Sequence, residues 1–208
     1  MKIAVIDYGA GNLRSVARAL AGAGAAPQVV EAPEGLRGAQ AIVVPGVGAF
    51  APAVRRLAAA GLIDALRDAA HRGVPLIGLC LGMQLLYEGS DEGAPAPGLG
   101  LLPGRVHRLP DVVKVPHMGW NTLAVRAANA LFDGLPAAPH VYFVHSYVVA
   151  PVERATVLAE TFHGAWFPAV VRRDHIWGLQ FHPEKSSRVG ARLLRNLVRE
   201  IGVARSPA

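Results

Sequence analysis

The 208-residue chain has one cysteine, Cys80, which excludes a disulfide framework and any thiolate-rich zinc or iron–sulfur site. It also lacks a long apolar run. Although 52% of the residues are hydrophobic, they come in short stretches, and the longest, over 76–86, is broken by glycines. None approaches the ~20 residues of a membrane span. No basic-then-apolar leader follows Met1, which opens straight into a strand-like segment, so a soluble, cytoplasmic protein is expected. Charged residues make up only 17%, and lysine is scarce: of 21 basic residues Lys2, Lys114 and Lys185 are lysine, leaving 18 arginines. With abundant Ala, Gly and Pro, this net charge of +6 reads as compositional bias. The arginines cluster only at Arg188, Arg192, Arg195 and Arg199, opposite Leu193, Leu194, Leu197, Val198 and Ile201. That is the solvated face of an amphipathic helix, and no nucleic-acid partner is expected.

What is present is alternation. Residues 2–7 form an apolar strand, 8–12 a glycine-rich turn, and Leu13, Val16, Ala17 and Leu20 one face of a helix closing near 22–24. Short strands over 28–31 and 41–44 follow, then a second glycine-rich turn over 45–48 and helices over 51–59 and 62–71. A buried strand over 74–79 runs into Cys80 and a helix through Tyr87. Near-continuous apolar strands alternating with helices predict an open, mostly parallel sheet covered on both faces, the flavodoxin-like α/β class. Beyond Gly89 the texture changes to a Gly- and Pro-rich loop over 90–104. Strand-like segments follow over 112–115, 122–125, 141–149, 157–161 and 169–173, the last turning into 176–181, and the closing helix spans 188–201. No linker or repeat interrupts the chain, so residues 1–208 are expected to form a single domain.

Gly78-Leu79-Cys80-Leu81-Gly82 lies where a strand passes into a helix. This is the setting of a nucleophile elbow: the turn is sharp, so flanking side chains would clash and glycines are needed two residues to either side. The helix start offers free N–H groups to a thiolate and to an oxyanion. A buried cysteine serving as a small hydrophobe would also fit this motif alone. A base decides between the two. Among eight histidines, His182 in Gln180-Phe181-His182-Pro183-Glu184 ends a strand, where the active-site residues of open α/β sheets gather. Pro183 holds the backbone extended, so His182 and Glu184 point to one side, and Glu184 can orient the imidazole that faces Cys80. The order Cys, His, Glu differs from the nucleophile, acid, His order of α/β-hydrolases.

These residues resemble the triad-type glutamine amidotransferases, whose glutaminase domains carry G-x-C-x-G and H-P-E about a hundred residues apart. The resemblance spans essentially the whole chain. It narrows to the branch that forms the glutaminase subunit of imidazole glycerol phosphate synthase through four segments. These are Asp7-Tyr8-Gly9-Ala10-Gly11-Asn12, Pro45-Gly46-Val47-Gly48-Ala49-Phe50, Lys114-Val115-Pro116-His117-Met118-Gly119-Trp120-Asn121 and Tyr142-Phe143-Val144-His145-Ser146-Tyr147. The P-H-M-G-W-N run discriminates best against sister glutaminases. Gly178-Leu179-Gln180 has Leu where the family more often has Thr or Val.

The resemblance implies catalysis by Cys80, His182 and Glu184, and oxyanion donors around Gly46, Val47, Gly48 and Leu81. It implies that Gln84 contacts the substrate, that Glu92 holds the α-ammonium of glutamine, and that Ser146 and Tyr147 meet its α-carboxylate through their backbone. It implies no metal or cofactor. Tyr8, Asn12, Trp120, Tyr142 and Lys185 would surround the mouth of the site, where a (β/α)8-barrel cyclase subunit docks as a heterodimer and receives ammonia. Three alternatives stand beside this. The partner could serve another synthesis; the chain could be a non-catalytic binding subunit on the same fold; and Trp120 and Tyr142 could be core aromatics.

Overall fold

The computed structural model describes residues 1–203. In chain order its elements are β1 (Lys2–Ile6), α1 (Leu13–Gly22), β2 (Ala26–Val30), β3 (Ala41–Gly46), α2 (Phe50–Ala59), α3 (Leu62–His71), β4 (Leu76–Cys80) and α4 (Leu81–Leu85). Then follow β5 (Tyr87–Ser90), β6 (Ala96–Pro97), β7 (Leu102–Arg108), β8 (His117–Thr122), β9 (Ala124–Val125), β10 (His140–His145), β11 (Tyr147–Pro151), β12 (Val157–His163), β13 (Ala165–Arg173), β14 (Ile176–Leu179) and α5 (Ser187–Val203).

Strands β1, β3 and β4 are almost wholly apolar because the centre of the main sheet is covered on both faces. In β1, Ile3 and Val5 enter one hydrophobic cluster while Ala4 and Ile6 enter the other, and all four are fully buried. Val16 and Leu20 of α1 pack on the first face with Leu193, Leu194 and Leu197 of α5. Phe50 and Leu57 of α2, Leu62 and Leu66 of α3 and Leu81 of α4 cover the second. Each such large aliphatic side chain contributes about 1.5–3 kcal/mol by leaving water. The four arginines of α5 face solvent; Arg199 pairs with exposed Asp133 at 2.9 Å.

The sheet order is β2-β1-β3-β4-β14-β13-β12-β9, parallel from β2 to β14 and antiparallel beyond. Two small sheets, β10-β8 and β11-β7-β5-β6, flank it. β4 lies centrally between β3 and β14, so its C-terminal residue, Cys80, sits where the carboxyl ends of parallel strands converge.

Four local expectations are corrected. The helix after Cys80 stops at Leu85, and Tyr87 starts a strand. Leu85, Leu86 and Tyr87 are all fully buried, so their apolar run carries no face that separates helix from strand. The 90–104 segment holds β6 and the start of β7 besides loop. Residues 112–115 form a turn rather than a strand: Val112 is 82% exposed, and prolines at 110 and 116 bracket a segment with no pairing partner. The single strand expected over 141–149 breaks at Ser146, sending β10 to β8 and β11 to β7.

Candidate active site

Cys80 occupies a backbone conformation that side chains rarely adopt, with φ 54° and ψ −110°. Its neighbours force it there. A Cβ on Gly82 would lie 1.7 Å from the Val44 carbonyl oxygen, and one on Gly78 would lie 2.5 Å from that of Gly82. Only glycine lets α4 approach β3 and β4 so closely, and the sharp turn follows. The thiol is 5% exposed. Gln180 Nε2 donates toward Sγ at 3.8 Å, and the Val144 carbonyl lies 3.9 Å from it.

His182 continues from the end of β14 and is held by backbone bonds. Its N–H donates to the Tyr142 carbonyl at 2.9 Å, and its carbonyl accepts from the Ser186 hydroxyl at 2.6 Å. Ser186, fully buried, also accepts from the Tyr142 N–H at 2.9 Å and so rivets the histidine to β10. His182 Nδ1 and Glu184 Oε1 are 2.8 Å apart, with both side chains at most 5% exposed. The pairing is as expected, but its local cause differs. Residues Pro183–Lys185 form a 3₁₀ turn, and this turn, rather than a continued strand, swings the carboxylate under the ring. Burial pulls the His182 pKa down, but the Cys80 thiol and the Glu184 carboxylate outweigh it and raise it from 6.5 to about 9. His182 Nε2 is buried, and the Cys80 thiol raises the pKa of the ring through side-chain hydrogen bonding first and through charge second.

In front of Cys80 is a cavity of about 320 Å³, lined by Val47, Gly48, Leu81, Gln84, Glu92, Pro116, Val144, His145, Ser146 and Tyr147 besides Cys80. That is the size range of a small-molecule site. The substrate-contact residues expected from sequence, Gln84, Glu92, Ser146 and Tyr147, thus come together. Gln84 Nε2 donates to the Tyr147 carbonyl at 2.9 Å and to Gln180 Oε1 at 3.2 Å. Glu92 Oε2 accepts the first N–H of α2, from Phe50, at 2.8 Å, which fixes the carboxylate at the rim. Of the proposed oxyanion segment, Val47 and Gly48 line the cavity, whereas Gly46 ends β3 opposite Cys80. Among the described residues no group of three or more His, Cys, Asp or Glu is arranged to hold a metal, and no helix is long and apolar enough to cross a membrane.

The residues expected at the mouth divide. Trp120 is 53% exposed and stands edge-on to Tyr142 at 6.1 Å, with Lys185 Nζ 5.7 Å from the Tyr142 ring. Trp120 is therefore no core aromatic. Asn12 is exposed and caps α1 by accepting from the Ser15 N–H at 3.3 Å. Tyr8 departs from expectation: it is 5% exposed and donates to the Pro45 carbonyl at 2.8 Å. Burial pushes its phenol above the ordinary tyrosine range. A ring turned inward under β3 offers no surface to a docking partner. Sequence reasoning missed Gln180 and Ser186, which touch the triad, and the buried pair His117 and His145, of which His145 lines the cavity. H-P-E-K-S and P-H-M-G-W-N contain two of these, Ser186 and His117, but spacing alone gave them no role.

Fold and site define a class: the chain belongs to the class-I glutamine amidotransferases, whose family model, described as Glutamine amidotransferase class-I, matches residues 4–201. Its relatives narrow the class to one kind of subunit. It is 49% identical over 205 residues to imidazole glycerol phosphate synthase subunit HisH of Moorella thermoacetica, covering 97% of this chain and 98% of the relative. It is 50% identical over 194 residues to subunit HisH of Desulfitobacterium hafniense (strain Y51), covering 93% and 92%. Among solved structures it is similar to a crystal structure of glutamine amidotransferase, with TM-score 0.76 and 26% identity over 96% of this chain and 98% of that one. PurLQS from Thermotoga maritima shares the fold, with TM-score 0.75 and 18% identity over 96% and 98%.

Proposed function

We propose that this chain is the glutaminase subunit of imidazole glycerol phosphate synthase, hydrolysing glutamine through Cys80, His182 and Glu184 and passing the ammonia to a cyclase subunit in histidine biosynthesis. The observation that carries the chemistry is the strained Cys80 turn, backed by the buried His182–Glu184 pair at 2.8 Å and opening onto the cavity. Near-full-length identity of about half to HisH subunits supports the choice of pathway.

Glutamine lies in the cavity, with its α-ammonium against Glu92 and its α-carboxylate at the backbone of Ser146 and Tyr147 beside Gln84. The Cys80 thiolate, its proton on His182, attacks the side-chain amide carbon, forming a C–S bond and an oxyanion. N–H groups of the Gly46, Val47 and Gly48 segment and of Leu81 hold that oxyanion, each donor supplying roughly 3–4 kcal/mol. The intermediate collapses, the C–N bond breaks, and His182 gives its proton to the departing ammonia. Water, deprotonated by His182, then hydrolyses the γ-glutamyl thioester to glutamate and restores Cys80. Glu184 keeps the ring oriented and stabilises the imidazolium throughout.

The partner is a (β/α)8-barrel cyclase that docks as a heterodimer around Asn12, Trp120, Tyr142 and Lys185. There ammonia reacts with the phosphoribulosyl formimino-carboxamide ribotide intermediate to give imidazole glycerol phosphate and aminoimidazole carboxamide ribotide. The chain with this partner and its ligand is expected to release one glutamate per imidazole glycerol phosphate formed from glutamine. Product formation from ammonium salts alone, with no glutamine hydrolysed, would contradict the proposal.

A further inference from the structure

A line of hydrogen bonds runs from β8 to the cavity wall, where His145 and Tyr147 lie, and its direction is fixed at both ends. At one end Asn121 Oδ1 accepts the Thr122 N–H at 2.8 Å, so the other amide atom, Nδ2, is the donor. It gives hydrogens to the Phe162 carbonyl at 3.0 Å and to His117 Nε2 at 3.1 Å. His117 Nδ1 lies 3.0 Å from His145 Nε2, and His145 Nδ1 lies 3.0 Å from the Tyr147 carbonyl, which can only accept. One proton arrangement satisfies every pair. His117 and His145 are both neutral, both protonated on Nδ1, and both accept on Nε2. Their surroundings favour this: burial first, then the neighbouring ring, lowers His117 to about 4 and His145 to about 3. His117 is further clamped between Phe143 at 4.7 Å and His163 at 4.2 Å, ring to ring.

The line ends on a peptide that matters to the ligand. Leu109 N–H donates to the Ser146 carbonyl at 2.9 Å, and Tyr147 stands opposite Arg108 in the antiparallel pair of β11 with β7. Tyr147 is therefore in a non-hydrogen-bonded position, and its own N–H and C=O both turn away from β7. The carbonyl is taken by two buried donors, Gln84 and His145. The N–H leaves on the same side of the strand, at a residue that lines the cavity.

We infer that the His117–His145 pair positions the Tyr147 peptide for the α-carboxylate of glutamine, and that it ties this contact to β8, the strand that displays Trp120. His117 and His145 are positioning residues, since their hydrogen-bonding nitrogens are spent on Asn121, on each other and on the Tyr147 carbonyl. The inference rests on the glutaminase reading above. Without a donor from His117, only the Tyr147 carbonyl favours the Nδ1-protonated form of His145, and the hold of that ring on the carbonyl weakens.

The test uses the chain in complex with its cyclase partner. His117→Phe keeps the stacked ring and removes both nitrogens; His117→Asn places an amide donor where Nδ1 was. His117→Phe is expected to raise the KM for glutamine about tenfold, equivalent to about 1.4 kcal/mol, with kcat and ammonium-dependent synthesis little changed. His117→Asn is expected to stay near wild type. A folded His117→Phe with wild-type KM would overturn the inference, as would equal impairment of the two variants, which marks packing alone. Nitrogen NMR of the unmutated complex needs no variant. Both rings should be neutral with the proton on Nδ1 at pH 7, and an Nε2-protonated or cationic ring at either position overturns it. An unmutated complex that hydrolyses no glutamine would instead sink the glutaminase reading itself.

Discussion

Replacing Glu184 by Gln changes one buried oxygen into an amide and removes the charge beneath His182. Glu184 Oε1 is 2.8 Å from Nδ1, and neither side chain reaches solvent appreciably. The pulls of Cys80 and Glu184 overcome burial and carry the histidine from 6.5 to about 9. That distance corresponds to roughly 3 kcal/mol in favour of the imidazolium, net of the desolvation that opposes it. Glu184 is one of the two groups that supply this, so Glu184→Gln should weaken the hold on the proton by about one to two kcal/mol, roughly tenfold in the acid dissociation constant of His182 and in the steps that need the imidazolium. The assay is kcat/KM for glutamine across pH in the partner-bound complex, with ammonium-dependent synthesis as the control. A fall of at least tenfold is expected, and the alkaline limb of the profile should move down by about one pH unit. Ammonium-dependent turnover should be unchanged. An unchanged rate with an unmoved alkaline limb would refute the claim that Glu184 holds the proton on His182.

Three further expectations follow from the same contacts. Ser186→Ala leaves the part-buried Tyr142 N–H without its acceptor, at a cost of about 1–3 kcal/mol. Thermal melting should show a fall of several degrees, together with slower glutamine turnover. Gly82→Ala would press a methyl to within 1.7 Å of the Val44 carbonyl, backbone against backbone. Its cost should exceed the ~1–3 kcal/mol of ordinary overpacking, and a soluble variant with near-wild-type melting would contradict the account of the turn. Stability against pH should peak between about 6 and 7. His182, raised to about 9, contributes stability that is complete below 6.5 and lost as pH climbs through 9. His117 and His145, lowered to about 4 and about 3, penalise the fold as pH drops from 6.5 and the unfolded chain takes up protons. Urea unfolding across pH checks this, and stability still rising to pH 9 would contradict it.

The α/β half was legible because its strands are buried on both faces: continuous apolar runs at residues 3–6 and 41–44 have few other physical explanations. Cys80, His182 and Glu184 were legible because steric and chemical needs left marks at short range, in the flanking glycines and in H-P-E. What escaped depends on long-range placement. Ser186 gains its role only when β10 arrives from 44 residues away. His117 and His145 become a pair only through the β8–β10 register, in which they stand opposite each other. Tyr8 carries an aromatic ring that suits an interface or a core equally, and its inward turn is set by the Pro45 carbonyl. The apolar residues 85–87 fit helix and strand alike, so the end of α4 had no periodic signature.

The most direct test of the central claim is the fate of the partner-bound complex when Cys80 becomes Ala. Glutamine-dependent formation of imidazole glycerol phosphate should fall to background, no acid-stable glutamyl adduct should appear on the chain, and synthesis from ammonium salts should continue at the wild-type rate. Continued hydrolysis of glutamine by Cys80→Ala would show that the nucleophile lies elsewhere.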